Sequence, residues 1–278
     1  MDGPGIPMDW GMRNRLARMF PGRSGNTVML AVDHGYFMGP TRRLEDPKAT
    51  IAPLAPHADA LALTRGVLRR CVPAECATPI VLRVSGGVTV LQDDLSNEAV
   101  TTSMTEATRL NVSAVAMSVF VGAPHEHDSL VNLGRLVDEG ESAGMPVMAI
   151  TAVGKELEKR DARYLSLACR VSAELGAHLV KTYYCDGFAK VVEGCPVPLV
   201  VAGGPKLDSD QAALELAHGA IAAGAHGIDM GRNIWQSDYP VPMLKALRAI
   251  VHDGATVKEA LDLLQAEKAR TSLRGAPA

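Results

Sequence analysis

Eight short apolar runs, each followed by a polar turn and a stretch of helical periodicity, limit this chain to very few folds. They cover residues 27–33, 58–64, 80–85, 113–120, 147–151, 179–183, 199–203 and 227–231. Strands that alternate with helices pair in parallel, and eight is the count that closes such a sheet into a barrel. The alternative, an open doubly wound sheet, calls for a GxGxxG turn after an early strand, and Val32-Asp33-His34-Gly35-Tyr36 is not one. The expected architecture is therefore α/β, a single (β/α)8 TIM barrel with an N-terminal helical extension. Its boundaries are an extension over 1–26, the barrel over 27–272 and a loose tail over 273–278.

Several helices can be placed from the pattern. Trp10 to Phe20 precedes the first strand and is expected to cover one barrel mouth. A helix from Lys155 to Ala177 keeps Leu165, Ala168, Val171 and Leu175 on one face and is closed by Gly176. Asp208, Ser209 and Asp210 offer N-caps for a helix that stops near Gly224, and Asn97–Glu98 and Asp128–Ser129 read as similar starts. The composition fits, with 47% hydrophobic but only 4% aromatic residues. Strands buried on both faces and packed against Ala-rich helices need small side chains.

The charge pattern excludes some partners. The net charge is −3 with acids and bases interleaved, so no basic stripe is present for nucleic acid. The longest apolar run, 112–121, is too short to span a bilayer. Asp2, Asp9, Arg13, Arg15 and Arg18 interrupt the start of the chain, so no signal peptide is read and a cytoplasmic location is expected. The five cysteines form no CxxC pair and are expected as free thiols. His125-Glu126-His127 lacks the i, i+4 spacing of a helical metal site, so no metal is expected.

In a barrel of this type chemistry sits at the C-terminal ends of the strands. Lys181 stands out because it interrupts an apolar run, and period-two alternation puts it on the face of Leu179 and Tyr183. Burial penalises its charged form, so its pKa is expected to fall, leaving a neutral amine able to attack a carbonyl. A lysine merely paired with a carboxylate is the plainer reading. Asp33 ends the Met29, Ala31 column of strand one and, with His34, is a candidate for proton transfer. The loops at Gly203-Gly204 and Gly231-Arg232 follow strands seven and eight, where barrels bind phosphate. Arg65, at the end of strand two, is a further candidate for binding substrate phosphate.

The segments VMLAVDHGYF (28–37), Thr64-Arg65-Gly66, LSNEAV (95–100), KTYY (181–184), GCPVP (194–198) and GRNIWQSD (231–238) together resemble the class I, Schiff-base aldolase family. That family includes the DeoC and archaeal-type fructose-bisphosphate aldolases, and the resemblance runs over nearly the whole chain. It implies that Lys181 forms the Schiff base, with Asp33 and His34 beside it and the two glycine loops holding phosphate. Within the family the likeness is to a thiolase branch. It implies acetyl transfer from a phosphorylated diketone to coenzyme A in autoinducer-2 breakdown, with coenzyme A as co-substrate, no bound cofactor, and a homo-oligomeric ring, with ten subunits expected. One departure matters. The related aldolases carry a Tyr-Pro pair after strand five, the tyrosine donating a proton, where this chain has Ala149-Ile150-Thr151-Ala152-Val153-Gly154-Lys155. The alternatives are an aldolase or transaldolase on a phosphorylated sugar, and a non-catalytic sugar-phosphate-binding barrel.

Overall fold

The computed structural model describes residues 9–22, 24–152 and 161–274. All eight runs form strands: β1 (Thr27–Ala31), β2 (Ala60–Thr64), β3 (Ile80–Arg83), β4 (Ala114–Val119), β5 (Val147–Thr151), β6 (Leu179–Tyr183), β7 (Leu199–Ala202) and β8 (Gly227–Met230). They close in the order β1-β8-β7-β6-β5-β4-β3-β2, every pair parallel. The seam lies between β1 and β8, where Thr27 pairs with Gly227. A Cβ at Gly227, whose φ is +144°, would stand 2.1 Å from the Thr27 carbonyl oxygen, so only glycine admits this approach.

Five of the strands stop short of the C-terminal ends of their apolar runs, so Asp33, Ser85, Gly203 and Gly231 lie just past the barrel strands. Inside the barrel, Met29, Ala60, Val81, Ala114, Met148 and Leu179 form a small-residue core. Outside it, the larger apolar cluster joins the other strand face to the helices.

The helix Trp10–Met19 begins at the Asp9 cap, whose carboxylate accepts from the Met12 amide at 2.9 Å. It buries Met19 against the barrel interior, with Leu16 and Phe20 beside it, as expected of a cover over one mouth. The same end carries a polar clasp. Asp59, just before β2, accepts from the Val28 amide (2.7 Å) and from Arg248 (2.6 Å), and lies 2.7 Å from Nε2 of His252.

Of the three cap candidates near 209, Ser209 is the cap, and the helix runs Asp210–Ala222. Two helix starts are corrected. Asn97–Glu98 opens no helix: Ala99–Val100 pairs antiparallel with Ser85–Gly86, and the following helix, Met104–Arg109, is capped by Ser103. The cause is Glu98, which turns inward to an arginine instead of solvating a helix start. The helix expected from Asp128–Ser129 begins earlier, as Glu126–Ala143. The one expected from Lys155 is seen as Ala162–Glu174 with an Asp161 cap, and residues 153–160 lie outside those described. So does most of the expected tail. Among the described residues, no helix is long and apolar enough to cross a membrane.

Candidate active site

A cavity of about 160 Å³ opens at the C-terminal ends of the strands. Its lining includes Lys181, Asp33, His34, Gly203, Gly204, Gly231 and Arg232, which are all but one of the residues singled out from sequence. Arg65 is the exception. It is exposed, begins the helix Arg65–Cys71, and lines a neighbouring cavity.

Lys181 sits on the inner face of β6, only 9% exposed, with Nζ 2.7 Å from Oδ2 of Asp229. Asp229 comes from β8 and is 1% exposed. Burial alone would lower the lysine pKa, as the sequence reading expects, but the charges of Asp229 and Asp33 outweigh it and the net shift is upward. Lys181 is therefore held toward its ammonium form beside Asp229, and a neutral amine arises when that proton moves. Asp229 suits that transfer: burial holds its carboxyl above the usual aspartate range, and the Lys181 charge offsets this only in part.

Asp33 behaves oppositely. Burial pushes it up, yet the charges of Lys181 and Arg83 hold it below the ordinary range. Two buried carboxylates beside one lysine are thus driven apart, one toward accepting a proton and one toward staying ionised. His34 Nδ1 is 3.7 Å from Asp33, too far for a hydrogen bond, and its ring meets Trp235 edge-on at 5.4 Å. Burial lowers its pKa to about 4, against the opposing pull of Asp33, so the imidazole is neutral at pH 7.

Across the cavity Arg83 ends β3. Its Nη1 is 3.5 Å from Asp33, and Nη2 donates to both Glu98 oxygens at 3.0 and 3.1 Å. The same nitrogen contacts Ser118 and the Tyr36 hydroxyl, and the guanidinium lies 4.1 Å over the Tyr36 ring. Tyr36 in turn donates to Glu98 at 2.7 Å. Phe37, Val88, Leu95, Phe120, Ile150 and Ala152 make the rest of this side apolar. Ile150 and Ala152 belong to the segment where related aldolases carry tyrosine; Val153, Gly154 and Lys155 lie outside the described residues.

The glycine loops are held together by Asn233, which is fully buried. Its Nδ2 donates to the carbonyls of Gly203 (2.8 Å) and Pro205 (3.1 Å), and its Oδ1 accepts from the Leu207 amide (2.9 Å). A Cβ on Gly231 would come within 2.5 Å of the Ala31 oxygen, so the β8 loop needs glycine to lie against β1. Trp235 donates to that same oxygen at 2.9 Å. The loops leave main chain and Arg232 facing the cavity, across from the Arg83 network and the apolar side chains around it.

Sequence reasoning missed Asp229, Glu98, Tyr36, Ser118 and Asn233. Asp229 carried the same signal as Lys181, a lone ionisable residue within an apolar run. Among the described residues, no group of three His, Cys, Asp or Glu side chains is placed to hold a metal ion.

Residues 27–237 match the DeoC/LacD family aldolase model. The chain is 54% identical over 262 residues to a 3-hydroxy-5-phosphonooxypentane-2,4-dione thiolase of Escherichia coli O139:H28, covering 94% of this chain and 89% of that protein. It is 53% identical, with the same coverage, to an uncharacterized aldolase of Pasteurella multocida. Among solved structures it is similar to an archaeal fructose-1,6-bisphosphate aldolase whose catalytic lysine is covalently bound to the carbinolamine intermediate of its substrate. That likeness has a TM-score of 0.78 at 26% identity, covering 86% of this chain and 99% of the other.

Proposed function

Since the chain belongs to the DeoC/LacD family of aldolases, we propose that this enzyme transfers an acetyl group from 3-hydroxy-5-phosphonooxypentane-2,4-dione to coenzyme A. The products are acetyl-CoA and dihydroxyacetone phosphate, and the reaction runs through a Schiff base on Lys181. The observation that carries this reading is the buried Lys181–Asp229 pair facing a cavity with a glycine-lined end and, across from it, Arg83 and Ser118 among apolar side chains. The likeness to the Escherichia coli thiolase supports the choice of substrate.

The phosphate lies against Gly203, Gly204, Gly231 and Arg232, which sets the C4 ketone at Lys181. As the ketone arrives, Lys181 passes a proton to Asp229, attacks C4, and water leaves to give the iminium. The coenzyme A sulfur adds to the C2 carbonyl. The C2–C3 bond then breaks, its electron pair flows into the iminium as an enamine, and acetyl-CoA departs. The thiol proton ends on C3, with Asp33 and neutral His34 the groups placed to carry it. Hydrolysis of the imine frees dihydroxyacetone phosphate and restores the amine. Arg83 and Ser118, at the far side of the cavity, stabilise the oxyanion formed at C2.

The reading extends to a cytoplasmic enzyme of autoinducer-2 breakdown, working as a homo-oligomeric ring with no bound cofactor, and acting on neither nucleic acid nor membrane. A second reading, aldol cleavage of a phosphorylated sugar, draws on the archaeal aldolase likeness. Ile150 and Ala152 disfavour it, because among the described residues of that segment they line the cavity and neither is an acid.

The test is borohydride trapping with dihydroxyacetone phosphate, read by intact mass. A covalent adduct is expected in the unaltered protein and none in Lys181→Ala. No adduct in the unaltered protein would end the Schiff-base mechanism.

A further inference from the structure

We propose that a second cavity, separated from the active-site pocket by Tyr36 and Arg83, is the port through which the acceptor thiol enters, with Arg65 at its mouth binding a phosphate of that acceptor. This rests on the acetyl-transfer reading above, and adds to it where the second substrate binds.

The argument begins with direction. In the closed strand order, β3 and β4 lie across the barrel from β7 and β8. A substrate whose phosphate lies on the β7 and β8 loops, with its ketone at Lys181 on β6, extends its acetyl end toward Arg83 on β3 and Ser118 on β4. The thiol must reach that end. A cavity of about 280 Å³ lies immediately beyond it, and Tyr36 and Arg83 line both spaces.

The lining suits an amide-bearing arm. Thr64, Gly66, Gly86, Thr101 and Thr102 present hydroxyls and uncovered main chain, able to pair with amides along a flexible chain. Gly86 also shapes the partition. A Cβ there would lie 3.2 Å from Cδ2 of Tyr36, so the glycine lets the ring stand where it divides the two spaces. Of the two partition residues Arg83 is the fixed one, bound to Glu98, Asp33 and Ser118. Tyr36, held by its hydroxyl on Glu98, by the guanidinium over its ring and by Phe37, is the part that must turn aside for the thiol to pass.

At the mouth, Arg65 is exposed and makes no ion pair or side-chain hydrogen bond among the described residues. Arg69, one turn along the same helix, is paired with Glu106. The free guanidinium is a fork for a phosphate group, placed outside the pocket that takes the phosphorylated ketone. The ligand class that matches is a thiol on an amide-bearing arm that ends in phosphates.

Initial-rate kinetics with the phosphorylated diketone and two acceptors tests this: coenzyme A, and pantetheine, which carries the thiol arm without nucleotide phosphates. Arg65→Ala is expected to raise KM for coenzyme A by about tenfold, the loss of one charge-assisted contact, and to leave KM for pantetheine unaltered. Gly66→Tyr adds a ring at the cavity wall, where nothing lies within 4 Å of the new Cβ. It is expected to suppress turnover with both thiols. Borohydride trapping of dihydroxyacetone phosphate reports in each variant that the fold and Lys181 are intact. If trapping succeeds in the unaltered protein but coenzyme A supports no turnover, the acetyl-transfer reading fails and the port with it. Wild-type KM for coenzyme A in both variants overturns the port alone. An equal rise for both thiols in Arg65→Ala overturns the phosphate contact.

Discussion

The two ends of this barrel are built from the same eight strands and hold opposite contents. At the N-terminal end, Met19 is driven into a small-residue core, and the buried carboxylate there, Asp59, has both oxygens engaged. At the C-terminal end, Lys181, Asp229, Asp33, Arg83 and Glu98 are buried together around a cavity. Removing five charges from water is costly, and apolar residues of like volume often serve stability as well or better. One end of the fold holds the barrel shut, and the other keeps a high-energy arrangement in place for chemistry.

The sharpest way to break this comparison is to empty the charged end. The double variant Lys181→Met with Asp229→Leu is expected to lose at least about 10⁴-fold in turnover, the loss typical of removing a nucleophile. Its thermal midpoint should not fall below that of the parent, because the pair is removed as a unit. A marked drop in the midpoint would mean that the catalytic end also carries the stability.

The reverse experiment acts on the clasp. Asp59→Ala is expected to cost about 3–5 kcal/mol in denaturant unfolding, since it strands Arg248 and the Val28 amide, while kcat of the folded fraction is unaltered. Burial would raise the Asp59 carboxyl, but hydrogen bonds from His252, Arg248 and Val28 outweigh it and hold it low. A carboxyl lowered on folding contributes stability that is full above its unfolded value of about 3.9 and is lost as pH falls through the folded value. Asp59→Asn should therefore flatten the acid limb of the stability profile below about pH 4. An unaltered limb would remove Asp59 from the account of acid unfolding.

The smallest effect is expected from the plug. Met19→Ala should cost about 2–3 kcal/mol by leaving a void under the strands, with KM for the ketone unmoved. A shift in KM would mean that the two ends are mechanically coupled, and would qualify their separation.

How much of this was legible follows from the same division. The strands could be read because burial on both faces turns each into an apolar run, and the plug because its amphipathic pattern precedes the first of them. Lys181 and Asp33 were legible as ionisable residues on inward columns. Asp229 was legible in principle but lay between glycines that drew attention to phosphate. Glu98 was not, because its partner Arg83 is fixed by a tertiary hairpin, Ser85–Gly86 with Ala99–Val100, that has no periodic signal. The direction of the Lys181 shift was misread for the same reason: burial is visible in a sequence, whereas the carboxylate that reverses its effect comes from another strand.

The seam between β1 and β8 has a consequence for how the protein is made. A ribosome emits the lysine strand well before β8, so a nascent chain bears the Lys181 ammonium without Asp229 and an open sheet edge along β1. Until Gly227 docks on Thr27, the phosphate loop has no strand to rest on and the amine has no carboxylate to take its proton. Stalled or truncated products ending before β8 are thus catalytically silent, and their unpaired β1 edge marks them for capture by chaperones or proteases.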